Sequence, residues 1–221
     1  MAYENLRVQA HKGALFETPV VTAKLTGGEA LLRDLEEVSR RRMAQDPEGM
    51  KRSNVGGWHS DTQMLDWGGA PARALAEKAI AMAKRLSAFS NATHDDFDWW
   101  AQMWVNISGP GASNHMHVHP GNLWSAVLYL DMGGTGDDGD DISECGGHFY
   151  FEDPRFPIAM MHNTRFRFAG EDGQPQPVQP EIRPRRGDLI MFPAWLRHGV
   201  RPYEGQRERI SIAMNVDAIP R

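Results

Sequence analysis

The chain has 221 residues, 41% hydrophobic and 24% charged, a balance typical of a soluble globular protein long enough to bury a core unaided. Its 24 Lys and Arg against 29 Asp and Glu leave a net charge of −5, which argues against a surface built to coat nucleic acid. Cys145 is the single cysteine, excluding an internal disulfide and any multi-cysteine zinc or iron–sulfur site; no apolar run reaches the length of a membrane span or a signal peptide.

Residues 14–26 have strand composition. From Glu29 to about Ala44, Leu31, Leu32, Leu35 and Val38 recur at helical spacing, and Arg40, Arg41 and Arg42 supply the cations that suit a solvated helix C-terminus. The stretch 53–61 reads as a loop whose paired glycines permit close backbone approach. A second helix is expected over Pro71–Phe89, with Leu75, Ala79, Met82 and Leu86 as its core stripe. From Asp96 onward the character changes. Short β-rich runs follow one another, among them 97–108, 123–131, 147–153, 164–170, 187–193 and 207–217, with Gly, Pro, Asn and Asp clustered between them. The pattern predicts a mainly β protein with flanking helices around a double-stranded β-helix, the jelly roll also seen in cupins. One domain is expected over 1–221: a mixed α/β lead-in over 1–95 with two supporting helices, then the core over 96–221. Segments 131–147 and 170–180 read as exposed connections.

The chemistry concentrates around the histidines. His115, His117 and His119 occupy alternate positions, so an extended strand would point all three to one face. Neighbours in this series lie roughly 7 Å apart at Cα, a gap two imidazoles close around one ion at about 2.1 Å each; the outer pair, roughly 13 Å apart, cannot share an ion on a straight strand. His117 belongs to either pair. Imidazole alone does not choose between iron, zinc, copper and nickel. His198 stands at the start of a later β-rich run and is the candidate for a remote ligand. Arg209 and Ser211 share one face of the strand that follows, with Ile210 and Ile212 on the other, and a guanidinium fork beside a hydroxyl inside a barrel is what a buried carboxylate needs.

These motifs carry a resemblance. WVN at 104–106, HVHP at 117–120, WSAVLYL at 124–130, GHFYFEDPR at 147–155, GDLIMFP at 187–193, WLRH at 195–198, the Pro202–Tyr203 pair and RISIAMN at 209–215 resemble the Fe(II)/2-oxoglutarate-dependent dioxygenases, in particular a bacterial and phage group on the prolyl-hydroxylase-like branch. The likeness extends over 54–67 and most of 100–217. It implies an iron(II) enzyme with 2-oxoglutarate as co-substrate. It implies His117 and His198 as ligands, Arg209 and Ser211 as the anchor of the far carboxylate, and Tyr129 as its helper; Asn106 is a further pocket polar. Where the superfamily has Asp or Glu, this chain has His119. Iron held by three histidines, an open site with His119 outside it, and a ligand pair formed by His115 and His117 are the readings this leaves, the first favoured by counting back from the Tyr129 strand.

The expected reaction is hydroxylation of a small-molecule or peptide substrate, with succinate and CO2 formed. Rival readings are a three-His cupin-type dioxygenase that uses no 2-oxoglutarate, and a non-enzymatic jelly roll that binds a metal or a small acid. No nucleic acid or membrane partner is expected; a homodimer is left open, and the expected location is the cytoplasm. Trp58, Trp104, Trp124 and Trp195 are candidates to finish the pocket, though each reads first as core packing, and His59 reads as a pocket polar. His148 is a weaker pocket candidate, and Arg155 reads as a loop pin. His11, His94 and His162 read as surface residues, and Cys145 as incidental.

Overall fold

The computed structural model describes residues 7, 9–11, 13, 15–134, 145–155 and 163–221. Eleven strands and three α-helices follow one another as β1 (Val21–Lys24), α1 (Glu29–Gln45), β2 (Asn54–Val55), β3 (Trp58–His59), α2 (Met64–Trp67), α3 (Gly69–Leu86), β4 (Phe97–Ser108), β5 (Ser113–His117), β6 (Trp124–Asp131), β7 (Phe149–Phe151), β8 (Glu181–Ile182), β9 (Asp188–Pro193), β10 (His198–Val200) and β11 (Arg209–Pro220) among the described residues. The strands form two antiparallel sheets, one ordered β1-β9-β6-β11-β4-β3 and the other β2-β5-β10-β7-β8. This is the jelly-roll core, flanked by helices.

Strand alternation divides the interior in two. On β11, Ile210, Ile212, Met214 and Val216 join Leu32, Leu35 and Val38 of α1 and Leu75, Ala76 and Ala79 of α3 in one apolar cluster on the helix side of the large sheet. Arg209, Ser211 and Ala213 take the opposite face and line the space between the sheets. There, Tyr129, Phe149, Phe151, Ile190, Phe192 and Leu196 make a second, aromatic-rich cluster. A strand buried on both faces reads as a continuous apolar run only where its inner face is also apolar; the polar residues of β11 mark where the pocket lies.

The helices follow their expected stripes, although Met82 and Leu86 are only partly buried. Arg40 and Arg42 are not simply solvated. They pair with Glu208 at 2.7 Å and Asp61 at 2.6 Å, tying α1 to segments beside the sheet. The lead-in also contributes strands: β1 pairs with β9, and the expected loop 53–61 holds both β2 and β3. Those two strands enter different sheets. Gly56 and Gly57 make the step between them at φ +62° and +67°, and a Cβ on Gly57 would stand 2.9 Å from the Ile107 carbonyl.

The run 164–170 forms no strand and has only a single bridge, between Ala169 and Pro175. Asn163 explains why: its side chain accepts from the Arg165 N–H and its carbonyl from the Phe166 N–H, a local turn that competes with ladder pairing. Residues 170–180 are largely exposed, as expected. Residues 135–144 of the predicted acidic connection, and His162, lie outside the described residues. No helix among the described residues is long and apolar enough to cross a membrane.

Candidate metal centre

Pairing of β5 with β10 sets His117 directly opposite His198. The strand ends at His117, and the chain then bends so that the His119 N–H reaches the Ala194 carbonyl just past β9. That bend removes the straight-strand spacing and turns His119 inward. Ring centroids stand 4.4 Å apart for His117 and His198, 4.9 Å for His117 and His119, and 5.1 Å for His119 and His198. One potential ligand atom from each of the three lies within 4.8 Å of the others. Donors at about 2.1 Å from one ion are about 3–3.5 Å apart, so modest ring rotations would close the set. His115 is exposed and outside the cluster.

Backbone contacts decide which nitrogens face inward. Nδ1 of His117 donates to the His115 carbonyl at 2.6 Å, and Nδ1 of His198 to that of Leu196 at 2.7 Å. Each bond keeps the hydrogen on Nδ1 and leaves the Nε2 lone pair available. Burial and the neighbouring rings pull His198 down to about 3 and His119 to about 4, and burial lowers His117 below its ordinary value. All three are neutral imidazoles near pH 7, the form that ligates a metal.

The same pocket, about 500 Å³ including its open mouth, holds a second polar group. Across three strands, Ser211 pairs with Asn106 on one side and Tyr129 on the other. Arg209 lies one step along β11 on the same face, 2% exposed, its guanidinium carbon 5.0 Å from the centre of the Tyr129 ring. Nε and Nη2 of Arg209, the Tyr129 hydroxyl and Oδ1 of Asn106 are buried without hydrogen-bond partners. Burial lowers the Arg209 pKa and pushes that of Tyr129 up to about 12, so the phenol remains a donor. A guanidinium with Nε and Nη2 unpaired, next to a phenol and a hydroxyl, is a donor set shaped for a carboxylate. The residues present therefore fit both a divalent metal and a buried carboxylic acid.

Trp58 and Trp124 belong to the helix-side core, as core packing predicts, whereas Trp195 is 54% exposed. His148 pairs with Glu181, Arg155 pairs with Asp153 and covers Phe168, and His94 packs on Phe89 and Trp99. His11 is exposed, whereas Cys145 is buried rather than part of an open loop. Trp104 does line the pocket, its ring 5.6 Å from that of His119, and His59 stacks behind it at 5.8 Å. Phe149 and Phe192, not singled out in the sequence, pack on His198 at 5.4 and 4.6 Å. Their signal was the inward alternation of two short apolar strands.

A family model described as "Putative 2OG-Fe(II) oxygenase" matches residues 102–215, more than half of the chain. The protein belongs to this family. As a 2OG-Fe(II) oxygenase it takes iron(II) and 2-oxoglutarate, and its jelly roll recurs in solved structures. A prolyl-4-hydroxylase from Pseudomonas putida is 20% identical, with a TM-score of 0.53 over 90% of this chain and 91% of that one. A prolyl hydroxylase from Trichoplax adhaerens, solved with a peptide fragment of the hypoxia inducible factor oxygen degradation domain, is 12% identical, with a TM-score of 0.59 over 90% and 83%. HygX from Streptomyces hygroscopicus, solved with nickel and 2-oxoglutarate, is 15% identical, with a TM-score of 0.58 over 90% and 83%. At such identities the likeness concerns the fold. No curated protein sequence matches the chain.

Proposed function

We propose that this 2OG-Fe(II) oxygenase holds its iron on His117, His119 and His198, and that it couples conversion of 2-oxoglutarate and O2 to succinate and CO2 with hydroxylation of a small-molecule or peptide substrate. The observation that carries this proposal is the orphaned Arg209 fork, buried in the same pocket as three neutral imidazoles. On this proposal the chain is one domain, with 96–221 carrying the chemistry and 1–95 supporting it.

Each pocket residue has a separate task. The three imidazoles offer lone pairs without a proton to displace, since burial keeps them neutral. Arg209 grips the far carboxylate of 2-oxoglutarate through two parallel N–H donors, with the Ser211 hydroxyl and Tyr129 phenol beside it and the Asn106 amide at the end of the row. This grip fixes the direction from which the co-substrate approaches the centre. Val127, Phe149, Phe192 and Val200 wall the pocket with apolar surface that keeps water out. Bound iron(II) supplies the activation of dioxygen. An imidazole in place of the usual carboxylate leaves the centre one unit more positive, which raises the potential of the iron couple.

Anaerobic titration tests the whole assignment. Addition of iron(II) and then 2-oxoglutarate is expected to develop a visible charge-transfer absorption at one equivalent of each. Iron binding with no spectral response to 2-oxoglutarate would sink the co-substrate assignment to Arg209.

A further inference from the structure

Two of the three imidazoles are held by hydrogen bonds and the third is not. His117 and His198 each donate Nδ1–H to a backbone carbonyl. No hydrogen bond holds either ring nitrogen of His119 among the described residues, although its backbone is fixed through the Ala194 carbonyl and Asn122. Its ring lies instead against Trp104, centroids 5.6 Å apart and planes tilted by 51°. Trp104 is backed in turn by His59, whose ring lies 5.8 Å away and within 14° of parallel. His59 does not float. Its Nδ1 bonds the Ser60 carbonyl, and Ser60 is clamped to Val105 by two hydrogen bonds of 3.0 Å, one from its own N–H and one to its Oγ.

We infer that Trp104, backed by His59, is the positioning residue for His119, a ring-on-ring restraint that stands where the other two imidazoles have a hydrogen bond. This rests on His119 being a ligand. An imidazole with no bond at its second nitrogen can ligate through either nitrogen and is free to swing about its side-chain torsions, so the wall it leans on sets its contribution to affinity. The bracket also gives the lead-in a stake in the centre. His59 arrives on β3, and its register opposite Asn106 places its ring behind Trp104. Removing a group that orients a metal ligand costs roughly 10–100-fold in metal affinity.

Cobalt(II) is the probe, because its visible d–d spectrum reports coordination number independently of turnover. Trp104→Leu is expected to weaken cobalt by roughly 10–100-fold and to move the spectrum towards that of His119→Ala. Trp104→Phe, which keeps a ring, should recover most of the loss. The double variant Trp104→Leu/His119→Ala should bind no more weakly than His119→Ala alone, because a positioning residue has nothing left to position. Trp104 is 8% exposed and its loss could unfold the chain. In that case His59→Ala decides, with a smaller loss of affinity and the same direction of spectral change. Wild-type affinity and spectrum in a folded Trp104→Leu or, failing that, in His59→Ala, or full additivity with His119→Ala, would overturn the inference. If His119→Ala itself binds cobalt as wild type does, the ligand assignment fails first, and the bracket with it.

Discussion

His117 and His198 are Cα partners across β5 and β10, and their ring centroids lie 4.4 Å apart. One antiparallel pairing thus brings together two residues far apart in the chain, and each is locked by a carbonyl of its own strand or the turn leading into it. Either substitution, His117→Ala or His198→Ala, removes one donor of a preset trio and should abolish stoichiometric retention of divalent metal after dialysis. His115→Ala should keep it. The contact His115 makes to His117 is through its backbone carbonyl, which alanine also has. Equal metal loss in His115→Ala, with His119→Ala harmless, would move the site along the strand.

His119 gives a test of charge. His119→Ala should bind iron more weakly, whereas His119→Asp should hold it, because a carboxylate is a good ligand for the same ion and restores the negative charge the imidazole lacks. The Asp variant should also lower the potential of the iron couple. Redox titration of both proteins checks this, and an unchanged potential in His119→Asp would show that the side chain does not reach the metal.

Much of this was legible in the sequence because it depends on short-range periodicity. The stripe of Leu32, Leu35 and Val38 and the alternation of Arg209 and Ser211 with Ile210 and Ile212 each report a face directly. The position of His119 was not legible to the same degree. Period two continues through His119 in the sequence, yet the strand ends at His117, and the bend that follows is set by Ala194 on a distant segment. The strand misread at 164–170 failed for a local reason, since its alternating aromatics looked like a ladder while Asn163 had already bent the backbone. The His59–Trp104 contact was hidden twice. The paired glycines made β3 look like loop, and only its register on β4 sets the two rings together.

Burial of the three imidazoles predicts how the metal-free protein responds to acid. In the unfolded chain they titrate near 6.5; folded, His119 does so at about 4 and His198 at about 3, with His117 also lowered. Between those values the unfolded state binds more protons, so stability falls as pH drops from about 6.5 towards 3. Above about 6.5 these groups contribute no slope. Urea melts of chelator-treated protein should show this decline, and the triple variant with alanine at all three positions should lose most of it. An equally steep acid limb in the triple variant would place the effect on carboxylates elsewhere.

Arg209 supplies the last prediction, because its burial and the anchoring role proposed for it pull in opposite directions. A guanidinium that is 2% exposed and lacks partners at Nε and Nη2 carries a desolvation cost on the order of several kcal/mol. The Tyr129 ring, 5.0 Å from its carbon, returns only about 1 kcal/mol. The free protein therefore carries an uncompensated charge at this site, which 2-oxoglutarate would pair if Arg209 is its anchor as proposed. Arg209→Met, which keeps length and volume but not charge, should leave the metal-free and ligand-free protein as stable as wild type or more so. The same variant should lose roughly 2–5 kcal/mol of 2-oxoglutarate affinity, tens to thousands of fold, while metal binding is unchanged. Arg209→Lys should rescue binding only in part, since an ammonium does not reproduce the fork. Thermal shifts with and without 2-oxoglutarate check both halves, because a ligand selective for the folded state raises Tm by mass action. A marked drop in the ligand-free Tm of Arg209→Met, with the 2-oxoglutarate shift retained, would make Arg209 a structural residue and leave the co-substrate to another anchor.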